Sequence, residues 1–570
     1  MGTFIKTQNY FSAGEISKEF FSRGDINGLS RLENMDVLSS GAISRRAGLR
    51  GLAEIPDGAR LMSFSAGENE NYLLVATDGH VRVFDGLEII QNLSSPWGGE
   101  DLKKLQYAQR FGQMIFVHPD YPPYILKKNV GMFELSEYGF SSNGDMTVNI
   151  PFMKFDDSAD IRISVSSNAG GNNYATFTAS KNFWTPDCIG GRLLLLGQQW
   201  VIQQYVGPMV ITASTNGSYT IPSAPVSDWS EAAFSARRGW PCSISFHQNR
   251  LVFGGSRSWA GGIWMSKVGV HNNFDVGTGL DDEAIFITLL SQRRQQICTL
   301  VSGDNLQILA SAGEWAVSSN PLTPSSVSIR QHTDVGSMTG RYLPPQKMEG
   351  GTVFISASGK DIRELSLDEL GENYNAADLC ALSKHLMNNP VDLAYNDRTN
   401  QLFVVMEDGV AAVLNRHSAL GISAWCVYKT QGSFKSVAVM GGETFASVQR
   451  GEKTFIEKFD RAEMTDGAGF GFSYAAEGLP LLADKHAPAR IRIRKLSARL
   501  LDTKSVFING FRAPLPNEAY DQDSPGYSGD VSVNLLGAYE DAMQPLWKIE
   551  GSEPLPATIL SIAANGWYSI

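Results

Sequence analysis

The stretch Tyr72-Leu-Leu-Val-Ala-Thr-Asp-Gly-His-Val-Arg-Val-Phe84 decides the fold class of this chain. Two runs of aliphatic and β-branched residues flank Asp78-Gly79, and such a dipeptide supplies the positive φ angles of a tight hairpin turn. The run before the turn is apolar at nearly every position, as expected of a strand that is covered on both faces. The stretch therefore predicts a β-hairpin inside packed sheets.

The same strand–turn–strand unit recurs along the chain. Its first strands lie near residues 73, 114, 251, 306, 353, 402 and 445. Apart from one long gap, the interval is about 45 residues, which is typical of propeller blades, each a small four-stranded sheet. Long amphipathic helical patterns are almost absent. The sequence thus predicts an all-β fold with a β-propeller-like body of six or seven blades.

The long gap between residues 114 and 251 predicts an inserted β module, because it holds strand-like runs of its own, such as Ile161–Val165 and Arg192–Gly197. The glycine-rich segment Asp466–Gly471 predicts a linker to a separate C-terminal β domain. The expected domains are an N-terminal arm (1–50), the first blades (51–130), the inserted module (131–238), the remaining blades (239–465) and the C-terminal β domain (466–570).

Composition and charge restrict the function classes. Charged residues make up 19% of the chain, below the roughly 25% usual for soluble proteins, which suits a protein that covers much of its surface with partners. The net charge of −11 has the opposite sign to that of a protein that binds phosphates through Lys and Arg. Without a run of about 18 apolar residues or a signal peptide, we expect cytoplasmic synthesis and no membrane insertion.

No catalytic or ligand-binding motif stands out. The eight histidines share no metal-site spacing, the five cysteines form no CxxC pair, and no HExxH or GxSxG motif occurs. Asp281-Asp282-Glu283 either holds a cation or ends a solvated loop, and the loop is the favoured interpretation. We therefore predict a protein that is not an enzyme, with no catalytic residue, no metal site and no cofactor.

Two basic features are candidate interface or DNA-facing sites. Arg490, Arg492 and Arg494 alternate with isoleucines, so their guanidinium groups would share one strand face. That face is either a docking stripe for an acidic neighbour or DNA, or simply solvated. The pair Arg45-Arg46 either clamps an adjacent subunit or is an ordinary surface pair.

Ten segments carry a family resemblance through their residues and their order. They are Tyr10–Glu15, Leu32–Asn34, Gly41–Gly48, Trp229–Ser235, Gly239–Pro241, Phe246–Ser256, Ile263–Ser266, Asn273-Phe274, Gly313–Trp315 and Val335-Gly336. This order resembles the tail nozzle family (tail tubular protein B) of short-tailed bacteriophages and their prophages. The resemblance covers residues 10 to about 430, is most specific from 229 to 317, and is weak in the C-terminal domain.

The resemblance implies a structural protein of the virion, assembled in the bacterial host cytoplasm. In that family six copies form a homohexameric tube that closes the distal end of the tail. The ring attaches to an adaptor ring, is surrounded by fibres or spikes, and passes double-stranded genomic DNA during ejection. Six chains at −11 each would line an acidic bore, which repels phosphates and lets DNA slide without binding.

Two further expectations concern packing. The arm carries Tyr10, Phe11, Phe20 and Phe21, too many aromatic residues for a free tail. We expect it to pack on the propeller body, either completing a blade or sealing the contact between subunits, with Arg45 and Arg46 facing carboxylates there. In the block Phe246–Ser256, we expect the polar residues His247, Gln248 and Arg250 to satisfy backbone groups at a blade edge.

Two other function classes remain open at this point. A receptor- or glycan-binding tail propeller would show a similar aromatic and polar motif in each blade, whereas the eleven tryptophans do not repeat with the blades. A polysaccharide-cleaving tail enzyme would need two carboxylates across a cleft. Incubation with capsule or peptidoglycan would detect that activity.

Overall fold

β-Strands dominate the computed structural model. It describes residues 2–23, 25–67, 70–86, 88–143, 147–167, 173–216, 219–291, 293–467, 469–481, 490–516, 525–537, 540, 541 and 543–569. Helical turns in these ranges are all 3-10: Lys18–Phe20, Asp101–Lys103, Asp156–Ser158, Pro186–Cys188, Lys384–Leu386 and Ser418–Leu420. None of the described helices is long and apolar enough to cross a membrane.

The chain divides into two compact units, residues 1–92 with 343–570 and residues 93–342. The first unit contains four blades of four strands each, of which blades 6 and 7 are parts of larger sheets of eleven and five strands. Their strands are Arg60–Gly67, Glu70–Thr77, His80–Asp85 and Glu88–Ser94 (blade 1); Gln346–Met348, Gly351–Ile355, Ile362–Leu367 and Tyr374–Asp378 (blade 5); Pro390–Asn396, Gln401–Met406, Ala411–His417 and Ile422–Tyr428 (blade 6); and Ser433–Met440, Glu443–Arg450, Lys453–Asp460 and Gly48–Ile55 (blade 7). Blade 5 packs on blade 6, blade 6 on blade 7, and blade 7 on blade 1.

The second unit contains three such blades and the inserted module. The blade strands are Gln106–Arg110, Gln113–His118, Tyr121–Asn129 and Met132–Glu137 (blade 2); Ser243–His247, Arg250–Gly254, Gly262–Met265 and Ile285–Thr288 (blade 3); and Ile297–Ser302, Leu306–Ala310, Gly313–Val317 and Ile329–Thr333 (blade 4). Blade 2 packs directly on blade 3, although the module separates them in sequence. The expected module boundary at residue 130 falls inside blade 2.

The module is a single sheet of seven strands, which differ in length. In spatial order these are Phe152–Met153, Trp229–Ala232, Arg192–Leu195, Gln198–Gly207, Val210–Ser214, Tyr174–Ala179 and Ile163–Ser167. Its core contains three buried indole rings, those of Trp184, Trp200 and Trp229. The module therefore has a hydrophobic core of its own.

The hairpin pattern in the sequence corresponds directly to the blades. Each of the seven predicted first strands is the second strand of a blade. In blade 1, His80 pairs with Thr77 and Val83 with Leu74, so Asp78-Gly79 forms the two-residue turn. The all-β fold with a propeller-like body, an inserted module and a C-terminal β domain is thus confirmed.

The two ends of the propeller sequence meet in blade 7. Gly48–Ile55 pairs antiparallel with Lys453–Asp460. It is the fourth strand of blade 7, and the other three strands of that blade come from far along the chain. An unpaired outer strand would expose backbone donors and acceptors, and this pairing satisfies them. Residues 48–55 therefore complete a blade. Only residues 48–50 of this strand belong to the expected arm (1–50), for which completing a blade is one of the two expected roles.

The arm and the C-terminal domain are built from shared sheets. The arm strands are Gly2–Gln8, Gly14–Glu15, Gly28–Leu29, Arg31–Glu33, Met35–Val37 and Ile43–Arg45, and the C-terminal strands are Asp466–Gly467, Tyr474–Glu477, Arg490–Thr503, Phe507–Ile508, Phe511–Arg512, Tyr527–Asn534, Glu540–Asp541, Lys548–Gly551 and Thr558–Ser569. Arg31–Glu33 lies between the last strand of blade 6 and Tyr474–Glu477, and Gly2–Gln8 pairs with Thr558–Ser569. The arm therefore joins the body to the C-terminal domain.

Asp466-Gly467, the start of the expected linker, pairs with Leu49 and Arg50 as a short parallel strand. This part of the segment is bound to blade 7. Residue 468 lies outside the described residues.

Candidate functional site

Arg46 is the centre of a buried polar cluster where the arm meets the C-terminal segment. Its guanidinium pairs with the Asp466 carboxylate at 2.6 Å, and both side chains are fully buried. The Nε atom donates to Asn34 Oδ1 at 2.8 Å, while the two Nη atoms donate to the carbonyls of Ala47 at 2.7 Å and Lys429 at 3.0 Å. Every partner is in the same compact unit, so the cluster ties the arm to its own chain.

Arg45 is buried beside this cluster. Its Nη2 atom donates to the Met464 carbonyl at 2.7 Å, and its guanidinium lies 4.1 Å from the centre of the Phe472 ring. Burial lowers the pKa of Arg45 to about 10, which leaves it charged at neutral pH. Arg45 and Arg46 were expected at the surface, facing a neighbouring subunit or DNA. The structure places both inside the chain, where Met464 and Asp466, some four hundred residues away in sequence, supply a carbonyl for Arg45 and a carboxylate for Arg46.

Arg490, Arg492 and Arg494 lie on the long C-terminal strand Arg490–Thr503. The guanidinium groups of Arg492 and Arg494 lie 5.6 Å and 5.7 Å from the centre of the Trp567 ring. A bulge between Ile493 and Lys495 interrupts the strict alternation, so Arg494 is the inserted residue. Across the described ranges, no carboxylate lies within ion-pair distance of these three arginines. They remain candidate docking residues for an acidic partner or for DNA.

The polar residues of the Phe246–Ser256 block connect blades 3 and 4. The buried Arg250 guanidinium donates to the carbonyls of Ser266, Asp281, Glu283 and Leu322 at 2.6–3.3 Å. A single side chain thus satisfies four carbonyls from two loops.

His247 and Gln248 also connect blades 3 and 4. His247 Nδ1 lies 2.9 Å from Ser302 Oγ, and the Gln248 side chain donates to the Ser319 carbonyl and accepts from the Leu322 amide. The expectation that this block satisfies backbone groups is confirmed for Gln248 and Arg250. These two residues also bridge two blades, which the sequence does not predict.

The acidic segment 281–283 is part of an ordered loop. Glu283 Oε2 accepts hydrogen bonds from the amides of Thr278, Gly279 and Leu280 at 2.6–2.9 Å. These bonds to backbone amides lower the pKa of Glu283. The carboxylate is used to close its own loop, in agreement with the loop interpretation.

Asp361, Asp378 and Cys380 form the one group of potential metal ligands found among the described residues. Lys384 Nζ already lies 2.9 Å from Asp361 and 3.2 Å from Asp378. Burial raises the pKa of the Cys380 thiol to about 12, so the thiol is neutral in the folded chain. A lysine ammonium thus occupies the position in which a cation would be held.

The cysteine thiols are expected to be unreactive in the folded chain. All five cysteines are free, and burial raises the pKa of Cys242 to about 11 and that of Cys298 to about 12. Since the thiolate is the nucleophile, we expect labelling by a thiol reagent at pH 8 to be at least about 100-fold slower than in denaturant. Reaction of any native thiol at the denatured rate would contradict this expectation.

One cavity was not anticipated from the sequence. It has a volume of about 340 Å³ in the second unit and is lined by Arg110, Lys127, Tyr138, Phe246 and His271, among others. Arg110 donates to Asn249 Oδ1 at 2.7 Å, and its second Nη atom lies 3.2 Å from His271 Nε2. Burial and the neighbouring Arg110 lower the pKa of His271, which favours the neutral ring that accepts from Arg110.

Two turns at one end of blade 2 have unusual residues, and Phe111 of the first turn lines this cavity. Phe111-Gly112 and Val130-Gly131 are two-residue hairpin turns with positive φ at both positions, where Asn or Asp is preferred at the first position. Phe111, at φ 49°, is 84% exposed, and Val130, at φ 32°, is fully exposed. A β-branched or aromatic residue in this conformation costs ~1–3 kcal/mol. Both turns therefore present apolar side chains to solvent at a cost in backbone strain.

Comparison with known proteins gives structural similarity only. No protein-family model matches the chain, and no curated protein sequence matches it. BamB from Moraxella catarrhalis is similar at 12% identity over 73% of this chain and 98% of that chain, with a TM-score of 0.34. The β-propeller domain of Cps50 (Swd1) from Myceliophteria thermophila is 9% identical over 72% of this chain and 100% of that chain, with a TM-score of 0.31. At such low TM-scores, the propeller assignment rests on the strand order of the blades themselves.

Proposed function

We propose that this chain is a non-enzymatic structural subunit of the tail nozzle of a short-tailed bacteriophage. In this role six copies form a ring below an adaptor ring, fibres or spikes surround the ring, and genomic DNA leaves through its channel. The site of action is the virion, after assembly in the host cytoplasm. The propeller-like body would act as a rigid scaffold for these contacts.

The observation that carries the proposal is the position of the most specific family-like block, residues 229–317. It spans the last strand of the module, all of blade 3 and most of blade 4. Its polar residues Gln248 and Arg250 hold the two blades together through backbone carbonyls and amides. A motif of this kind maintains the geometry of a scaffold, which supports a structural role over a catalytic one.

The charge of the chain supports DNA passage without binding. Six copies at −11 each would give an acidic ring that repels phosphates. Arg46 is paired with Asp466 and Arg45 is buried against the Met464 carbonyl, so neither presents positive charge at the surface. Arg490, Arg492 and Arg494 would then serve an acidic protein partner or approach the DNA.

The test is whether the purified chain forms a ring that joins an adaptor ring. We expect a particle of about six times the 62.2 kDa chain mass, with a central channel in negative-stain images, after mixing with the adaptor encoded in the same genome. A chain that never binds the adaptor ring, under conditions where the adaptor binds its portal, would contradict the proposal. Release of reducing ends from capsule or peptidoglycan would favour the polysaccharide-cleaving alternative.

A further inference from the structure

The cavity beside Phe111 combines positive charge with exposed apolar surface. Within the described residues, Arg110 and Lys127 form no ion pair with any carboxylate. The cavity wall carries one carboxylate, Glu137, whose Oε1 atom lies 3.5 Å from the Tyr124 hydroxyl. The cavity therefore offers two cations against one anion.

Exposed apolar side chains, here called the apolar rim, lie at the end of blade 2 where Phe111 lines the cavity. Phe111 and Val130 are in the two turns at this end, Met132 begins the strand after the second turn, and all three side chains are exposed. Strained backbone of this kind is concentrated at functional sites, where the surrounding structure holds it in place. A carbohydrate would stack on the aromatic ring but would leave Val130 and Met132 uncovered, so the rim favours a protein partner. We will refer to Arg110, Phe111, Lys127, Val130 and Met132 as the Phe111 site.

This chain contains a turn with the complementary chemistry. Asp368–Asn373 connects two strands of blade 5, and Leu370 at its tip is 81% exposed between Glu369 and Glu372. Asp368 fixes the turn, since its Oδ1 accepts from the Glu372 amide at 2.9 Å and its carbonyl accepts from the Gly371 amide at 2.9 Å. The carboxylates of Glu369 and Glu372 have no partner among the described residues.

We propose that the Phe111 site of one copy receives the Leu370 turn of a second copy of this chain. Leu370 packs against Phe111 and the apolar rim, while Glu369 and Glu372 approach Arg110 and Lys127. Two observations favour a second copy as the occupant: the charges are opposite, and a narrow hairpin turn presents one apolar side chain that suits a cavity of about 340 Å³. The broader acidic loop 275–283 is a weaker fit, because Glu283 is already bound to its own backbone.

Such a contact joins two different patches of the same molecule. A heterologous contact of this kind generates a closed ring or an open filament, and an open assembly has one free site at one end and one free turn at the other until the ring closes. The inference therefore rests on the proposed function in one respect, since the contact between the Phe111 site and the Leu370 turn is the one from which the nozzle ring would be built.

The test uses two charge-reversed chains. One carries Arg110→Glu and Lys127→Glu in the site, and the other carries Glu369→Lys and Glu372→Lys in the turn. Each alone is expected to raise the dissociation constant for self-association by about 100-fold, because like charges then face each other across the contact. An equal mixture is expected to assemble, since each reversed site meets a reversed turn and each native site meets a native turn.

The control reverses two exposed cations elsewhere, Arg23→Glu and Lys453→Glu, and is expected to assemble like the unaltered chain. Molecular mass by light scattering reports assembly, and far-UV circular dichroism with thermal unfolding verifies that each variant is folded. A photo-crosslinker at position 370 is expected to label peptides around Phe111 and Val130 of another copy.

The outcomes separate the inference from the proposed function. If the reversed chains assemble as well as the control, or the crosslinker labels loop 275–283 instead, the inference is wrong while a ring on the adaptor still supports the nozzle. If the unaltered chain stays monomeric both alone and on the adaptor, the inference is also wrong. If the mixture alone restores assembly but the assembly never binds an adaptor ring, the contact is established and the proposed function fails.

Discussion

A chain lacking residues 2–47 is expected not to reach its native fold. The deleted segment supplies seven large apolar side chains to the buried core, namely Phe11, Ile16, Leu29, Leu32, Met35, Val37 and Ile43. At ~1.5–3 kcal/mol for each buried side chain, their loss amounts to on the order of 10–20 kcal/mol. That is as large as the whole stability of a typical domain, ~5–15 kcal/mol. We expect insoluble protein, or a soluble chain without cooperative thermal unfolding.

The backbone also contributes to this expected loss. Removing Arg31–Glu33 leaves Ile422–Tyr428 and Tyr474–Glu477 without the strand that lies between them. Unpaired strand edges are templates for aggregation.

The matched control for the arm deletion removes residues 2–8 only. This strand lies at a sheet edge against Thr558–Ser569, and its central side chains Ile5 and Lys6 face solvent. The shorter deletion is expected to stay soluble and to unfold cooperatively, a few degrees lower than the full chain. A soluble chain lacking residues 2–47, with unchanged circular dichroism and unfolding temperature, would show that the arm is dispensable.

The sequence predicts the blades well because each depends on local chemistry. In the hairpin 70–85, the apolar runs and the Asp78-Gly79 turn lie within sixteen residues, so neighbouring residues determine both strands and the turn. The same holds for Gln401–His417 around Asp408-Gly409. Recurrence at blade length then indicates the architecture without any knowledge of distant contacts.

The arm is where local chemistry is insufficient. Arg31–Glu33 is a three-residue strand, too short to show a periodic pattern, and its neighbours come from blade 6 and the C-terminal domain. Arg45 and Arg46 look like surface residues because charged side chains are seldom fully buried without a partner. The Asp466 partner of Arg46 is 420 residues away in sequence, and nothing near either residue indicates the pairing.

The sequence predicts the candidate sites only in part, for a related reason. The alternation of Arg490 and Arg492 with isoleucines predicts a shared face, but the bulge at Arg494 depends on pairing with Thr558–Ser569. The Phe111 site was missed because its members are separated by up to 22 residues, from Arg110 to Met132. One signal was available: Phe-Gly and Val-Gly stand where hairpin turns prefer Asn-Gly.

Replacing Arg46 by methionine is expected to lower the free energy of unfolding by about 3–5 kcal/mol, because it leaves the buried Asp466 carboxylate without its counterion. The substitution also removes the donors to Asn34 and to the carbonyls of Ala47 and Lys429. Since protonation relieves the stranded carboxylate of its charge, the loss should be smaller at about pH 4.5 than at pH 7. Denaturant unfolding at the two pH values measures both effects.

Two further chains identify the cause of this loss. Arg46→Met combined with Asp466→Asn removes the stranded charge. The free energy of unfolding of this double variant at pH 7 should therefore be at least about 1 kcal/mol higher than that of Arg46→Met, and its loss relative to the unaltered chain should not depend on pH. Arg23→Met breaks an ion pair whose side chains are 56% and 67% exposed, and exposed pairs contribute only ~0–1 kcal/mol. If Arg46→Met is no more destabilising than Arg23→Met, the Arg46 cluster does not hold the arm to the C-terminal segment. If it is equally destabilising at both pH values, the loss arises from packing and the missing carbonyl donors, and the buried charge of Asp466 has no part in it.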